Sequence, residues 1–156
     1  MKKVLFLTAF LALILPVLAL GCATPPNTPS VPPVNGGQQA KMIEFSDADF
    51  QTQKHITKDI ELIVPGSLIV SLYSNQTTGF KWSENAVISQ SSVIEQESHN
   101  YVSPQTGTPV LGAAGKEVWV FNSLKPGSAT IKLSYGRPWE GGEKDELTLT
   151  VNVIVK

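Results

Sequence analysis

The sequence predicts an all-β domain, an immunoglobulin-like antiparallel β-sandwich, and three observations predict it. From about Lys41 onward the apolar residues recur with a period of two, the spacing of a half-buried strand. Pro-Gly pairs at Pro65-Gly66 and Pro126-Gly127 punctuate these runs as turns. No stretch offers convincing helical amphipathicity. A chain of 156 residues with 12 Gly and 11 Pro suits one modest core rather than two. A small barrel is the second architecture compatible with this pattern.

In chain order, Met1-Lys2-Lys3 and the apolar run Val4 to Leu20 have the layout of an export signal spanning residues 1–21. A membrane span is the competing reading, but Pro16 interrupts the run, and about 17 apolar residues is the lower limit for crossing a bilayer. Ala19-Leu20-Gly21-Cys22 resembles the lipobox of bacterial lipoproteins, in which the cysteine receives a diacylglyceryl group and becomes the first residue. Ala19 stands where leucine is usual, so ordinary cleavage after Ala19 or Gly21 is the alternative. The resemblance implies an exported protein held at the cell-envelope membrane by a lipid on Cys22. Residues 22–40, with Pro25, Pro26, Pro29, Pro32 and Pro33 among small polar residues, read as a tether too poor in apolar area to pack. Its prolines favour extended polyproline II structure at about 3.1 Å per residue. A ligand for a proline-binding module is the sharper alternative for the same stretch.

Within the domain, 41–156, Glu61 to Val64 and Leu68 to Tyr73 flank the first Pro-Gly turn, and Phe80-Lys81-Trp82 and Val93-Ile94-Glu95 give two further short strands. Val118 to Phe121, the turn Lys125-Pro126-Gly127 and the alternating Ala129, Ile131, Leu133 and Tyr135 read as an antiparallel hairpin. Leu147, Leu149, Val151, Val153 and Val155 alternate with polar residues in the last strand. One cysteine excludes a core disulfide, so Trp82 and Trp119 are the expected large core residues.

Charge and composition exclude most chemistry. The net charge is −1 with no basic block, so the electrostatic footprint of a nucleic-acid binder is missing. One Cys and two His leave no metal site or cofactor to expect. His55 and His99 stand in polar surroundings and read as solvent-exposed. Glu143-Lys144-Asp145-Glu146 reads as a solvated turn, and there is no Gly-x-Ser-x-Gly elbow. No catalytic constellation survives, so an enzyme is not expected. Asn75-Gln76-Thr77 fits a glycosylation sequon, which carries little meaning in a bacterial-type chain.

Three connections carry features that sheet formation does not require: Asn75 to Phe80, the long stretch Tyr101 to Gly115, and Gly136-Arg137-Pro138-Trp139. In a sandwich, alternate connections emerge at the same end, so the three are expected to form one edge. An exposed Trp beside a rigid Pro suits a binding surface. In order, these segments resemble the signature of the chagasin family of cysteine-protease inhibitors: N-P-T-T-G and an aromatic, then G-x-G-G, then R-P-W. Asn75, Thr77, Thr78, Gly79 and Phe80 match the first with Gln76 in place of proline. Gly112, Ala113, Ala114 and Gly115 match the second with Ala114 for a glycine, and Arg137, Pro138 and Trp139 complete the third.

The resemblance implies a reversible inhibitor of papain-like cysteine proteases that wedges three loops into the active-site cleft. Thr77 and Thr78 would approach the catalytic cysteine, with Gly79 supplying close backbone approach. Tyr101 to Gly115 would lie along the non-primed side. Trp139 would pack on the primed side, with Pro138 preorganising it and Arg137 supplying hydrogen bonds. Gln76 gives back freedom that proline removes and Ala114 resists positive φ, which implies a weaker grip than the family pattern. The alternative of a different class is an envelope module in which Trp139 and Tyr101 bind a glycan or a partner protein.

Overall fold

The computed structural model describes residues 39–104 and 112–156. The expected export signal, Cys22, nearly all of the tether and the middle of the second loop lie outside the described residues. Among these residues, nine strands form two sheets. One contains β1 (Gln39–Phe45), β3 (Gly66–Ser74), β7 (Gly115–Ser123) and β6 (Ile94–Val102), in the order β1-β3-β7-β6. The other contains β2 (His55–Leu62), β9 (Leu147–Val155), β8 (Gly127–Gly136) and β4 (Lys81–Trp82), in that order, and β5 (Val87–Ile88) also pairs with β8.

The period-two pattern places the core where it was expected. In β8, Ala129, Ile131, Leu133 and Tyr135 point inward, and in β9 Leu149, Val151, Val153 and Val155 do, with Leu147 partly buried at the strand entrance. Trp82 and Trp119 are both 0% exposed and meet edge-on across the two sheets, with ring centroids 6.4 Å apart.

Two expectations need correction. The turn Lys125-Pro126-Gly127 does not close a hairpin: β7 belongs to one sheet and β8 to the other, and the chain crosses the sandwich there. Ladder partners are instead β6 with β7 and β8 with β9. Two pairings are parallel, β1 with β3 and β2 with β9. Successive crossings between sheets bring every second segment back in the original direction, and a parallel neighbour leaves the same alternation in the sequence as an antiparallel one. Strand β1 is paired from Gln39, which lies opposite Gly66.

A short helix, α1 (Asp47–Thr52), was not expected. At six residues it shows no period, yet its start is signalled: the Ser46 N–H and hydroxyl both donate to Asp49 Oδ2, at 2.7 and 2.6 Å. Its one buried side chain, Phe50, packs 5.3 Å from the Trp82 ring and 6.1 Å from Phe45.

The register of β9 makes a sharp prediction. Val151→Asp places an unpaired charge in the core and is expected to cost on the order of 4 kcal/mol, enough to unfold most of the protein. Thr150→Asp faces the other way, opposite Lys132, and should cost less than about 1 kcal/mol. Urea denaturation followed by far-UV circular dichroism compares the two, and equal effects would contradict the register.

Candidate functional site

The three singled-out connections leave the sandwich at one end. Ser74, the end of β3, pairs with Gly115, the start of β7; Val102, the end of β6, pairs with Lys116; and Tyr135, near the end of β8, pairs with Leu147, the start of β9. The second connection is shorter than expected, because Tyr101 lies within β6 and pairs with Glu117.

The first loop, Asn75 to Phe80, is built by its own side chains. Asn75 Oδ1 accepts from the Thr77 N–H (3.2 Å) and the Thr77 hydroxyl (2.6 Å), and the Thr78 hydroxyl donates to the Asn75 carbonyl (2.7 Å). These bonds wind Gln76–Thr78 into a 3₁₀ turn, closed by Gly79 at φ +78, where alanine would be strained. Gln76, Thr77 and Thr78 are exposed at its tip. Phe80 turns inward instead, stacking on Tyr135 with ring centroids 5.6 Å apart. Burial raises the Tyr135 phenol above its ordinary pKa, with the Thr78 hydroxyl and the Asn75 backbone opposing, so the ring stays neutral beneath this loop.

The third loop is laid over the first. The Arg137 guanidinium sits 4.4 Å from the centre of the Phe80 ring and 5.8 Å from that of Trp139. Pro138 and Trp139 are exposed, the latter at 51%, and a Cβ on Gly79 would come within 2.9 Å of Trp139 Cη2. The Arg137 Nε is buried and has no hydrogen-bond partner among the described residues.

The acidic segment after this loop is exposed as expected at Glu143, Lys144 and Asp145, but it does more than solvate a turn. The Arg137 N–H donates to the Glu143 carbonyl (2.7 Å), and the Gly142 N–H donates to the Trp139 carbonyl (3.1 Å). Lys144 Nζ donates to the carbonyls of Arg137 (2.5 Å) and Trp139 (2.8 Å). Gly142 also lies so close to Arg137 and Trp139 that a Cβ would clash with Arg137 Cβ at 2.7 Å. Sequence reasoning missed Gly142 and Lys144; a glycine pair followed by a lysine shortly after a turn was the available signal.

Among the described residues, the second loop meets the first through a long hydrogen bond from Asn75 Nδ2 to the Gly112 carbonyl (3.4 Å). Gly112 is exposed at φ +82, and Ala113 and Ala114 are half-buried. Ala114 does not have positive φ, so the expected conformational penalty of alanine there is absent. Gly115 is buried beneath the edge: a Cβ would fall 2.5 Å from the Tyr101 hydroxyl.

Both histidines differ in role. His55 is exposed as expected. His99 is not: it is 17% exposed, stacks on Trp119 with ring centroids 4.7 Å apart, and places Nε2 2.8 Å from Glu117 Oε2.

Residues 62–153, which include all three loops, match the family described as "Chagasin family peptidase inhibitor I42". The chain belongs to the chagasin family. This chagasin-family protein is 33% identical over 92 residues to amoebiasin-2 of Entamoeba histolytica, covering 56% of this chain and 68% of that one. Amoebiasin-1 of the same organism is 32% identical over 85 residues, covering 54% and 78%. The crystal structure of EhICP2, a cysteine protease inhibitor from Entamoeba histolytica, superposes with a TM-score of 0.61 at 20% identity, over 78% of this chain and all of that one. That superposition supports the immunoglobulin-like sandwich. The protein is a peptidase inhibitor and not an enzyme.

Gly79 tests the packing between the first and third loops. Gly79→Ala is expected to cost about 1–2 kcal/mol through its left-handed backbone. It should also shift the Trp139 indole N–H resonance while those of Trp82 and Trp119 stay in place. An unmoved Trp139 resonance would contradict the contact.

Proposed function

We propose that this inhibitor blocks papain-like cysteine proteases reversibly, with its three loops entering the active-site cleft together. The observation that carries this reading is the contact of Trp139 with Gly79, which joins the first and third loops into one edge with Thr77 and Thr78 exposed beside an exposed indole. Thr77 and Thr78 would face the catalytic cysteine, residues 112–115 would border the non-primed side, and Trp139 would fill the primed side. Phe80 and Gly115 act from behind, as supports for this surface.

The chemistry is non-covalent. Neither hydroxyl at the tip is an electrophile, so the protease would be stopped by exclusion of substrate and water, with the energy concentrated in one or two anchors. Preorganisation favours such a mechanism. The first loop is fixed by Asn75 and the third by Lys144, so little backbone entropy remains to be lost on docking. Arg137, already stacked on Phe80, would offer its remaining donors to acceptors on the protease rim.

We also propose that the protein is exported and held at the cell envelope by a lipid on Cys22, with the proline-rich tether carrying the inhibitory end away from the membrane. This rests on the sequence around Cys22 and on the chain direction: β1 and β3 run in parallel from Gln39 and Gly66, so the tether joins the end opposite the three loops.

Two measurements test these proposals. Trp139→Ala is expected to weaken inhibition by about 2 kcal/mol, roughly thirtyfold in the dissociation constant, while the melting temperature moves by less than about 3 °C. Full inhibition by the variant would remove Trp139 from the interface. Cys22→Ser should move the protein from the membrane fraction to the soluble fraction, and a wild type that is already soluble after export would end the anchoring proposal.

A further inference from the structure

Among the described residues, Glu117 is the one charged side chain that is fully buried, at 1% exposure. The alternation of β7 turns it to the same face as Trp119 and Phe121. An inward carboxylate is costly unless donors surround it. Here three do, and each has a place relative to the first loop. Glu117 Oε1 accepts from the Ser74 hydroxyl at 2.7 Å and from the Trp82 N–H at 3.3 Å. Ser74 is the residue immediately before Asn75, and Trp82 lies just beyond Phe80, so one carboxylate oxygen ties the two stems of that loop. The other oxygen is set by His99 Nε2 at 2.8 Å, with the imidazole held flat against Trp119. A second tie runs between the same stems, from the Trp82 indole N–H to the Tyr73 carbonyl at 2.8 Å.

Packing and these bonds act on this loop together. A surface pocket of about 350 Å³, bordered by Gln76, Gly79, Phe80, Lys81, His99 and Glu117, adjoins this loop. Where no described side chain fills that space, the stems and their bonds contribute to where the tip stands.

We propose that Glu117 is a positioning residue for inhibition: its carboxylate, oriented by His99, clamps the stems of the first loop and so holds Thr77 and Thr78 ready for the protease. The proposal rests on the reading that this loop enters the cleft. Glutamine at position 117 keeps an oxygen for Ser74 and Trp82, whereas leucine leaves both donors buried and unpaired.

The test compares the full chain with Glu117→Gln, Glu117→Leu, Ser74→Ala and a core control, Val153→Ala. Three quantities are read on each: inhibition of a papain-like protease, melting temperature, and amide hydrogen exchange at residues 75–82 and 137–146. Glu117→Leu is expected to weaken inhibition at least about tenfold and to speed exchange at 75–82 by a similar factor, with 137–146 unchanged. Glu117→Gln should remain within about threefold of wild type in both, and Ser74→Ala should fall between them. Val153→Ala should lower the melting temperature while leaving inhibition and exchange at 75–82 in place.

Wild-type exchange at 75–82 in Glu117→Leu, a loss that glutamine fails to rescue, or an equal loss in Val153→Ala would overturn the clamp. If Glu117→Leu does not fold, Ser74→Ala decides in its place: unchanged exchange at 75–82 sinks the proposal. Exchange is measured without protease, so a wild type that fails to inhibit refutes the cleft reading separately.

Discussion

The contact between Trp82 and Trp119 is the constraint on which the rest of the molecule depends. The two indoles come from opposite sheets, Trp119 from the long central β7 and Trp82 from a strand of two residues. So short a strand has little ladder of its own, and burial of the indole among Phe50, Tyr135 and Trp119 does most to hold it. Truncating such a ring typically costs about 3–5 kcal/mol. Because β4 directly follows the first loop, that burial also decides where the loop ends. The aromatic contacts then continue to the surface: Tyr135 stacks on Phe80, the Arg137 guanidinium covers Phe80, and the Trp139 ring lies against Gly79. Core packing and the three-loop edge are thus joined by one continuous set of contacts.

Residues that look alike in a motif divide into two physical kinds here. Thr77, Thr78 and Trp139 present surface, whereas Phe80 and Gly115 exist to shape what lies above them. On the proposed reading, an exposed tip gains affinity only if ordering it costs little, and the hydrogen bonds of Asn75 and Lys144 supply that order within the domain itself.

Legibility followed the range of the interaction. Alternation is local, so the inward faces of β8 and β9 and the burial of Trp82 and Trp119 could be read directly from the chain. An indole beside a proline at a turn was rightly expected at the surface. Which strand pairs with which is a long-range property that alternation does not encode, and the hairpin read across Lys125-Pro126-Gly127 failed for that reason. Helix α1 was too short to show periodicity, and only Ser46 and Asp49 marked it. His99 sits among polar neighbours in sequence but beside Trp119 and Glu117 in space, so its burial became visible only with the pairing of β6 and β7.

The two departures from the family motif have different physical weight. Alanine at 114 would be a defect only in a left-handed backbone, and the chain does not adopt one there. Gln76 opens the 3₁₀ turn, a place where proline is favoured because its fixed φ suits the first turn and no backbone donor is wasted. Replacing it with glutamine frees the unfolded chain by something near 0.4–1 kcal/mol, on the order of one hydrogen bond. Two bonds to Asn75 Oδ1 and two to the Asn75 carbonyl already hold the turn shut from within. The stems beneath it meet at Glu117. A loop closed both at its tip and at its base can lose one proline and keep its shape, so the motif's departures bear on the stability of the edge more than on its form.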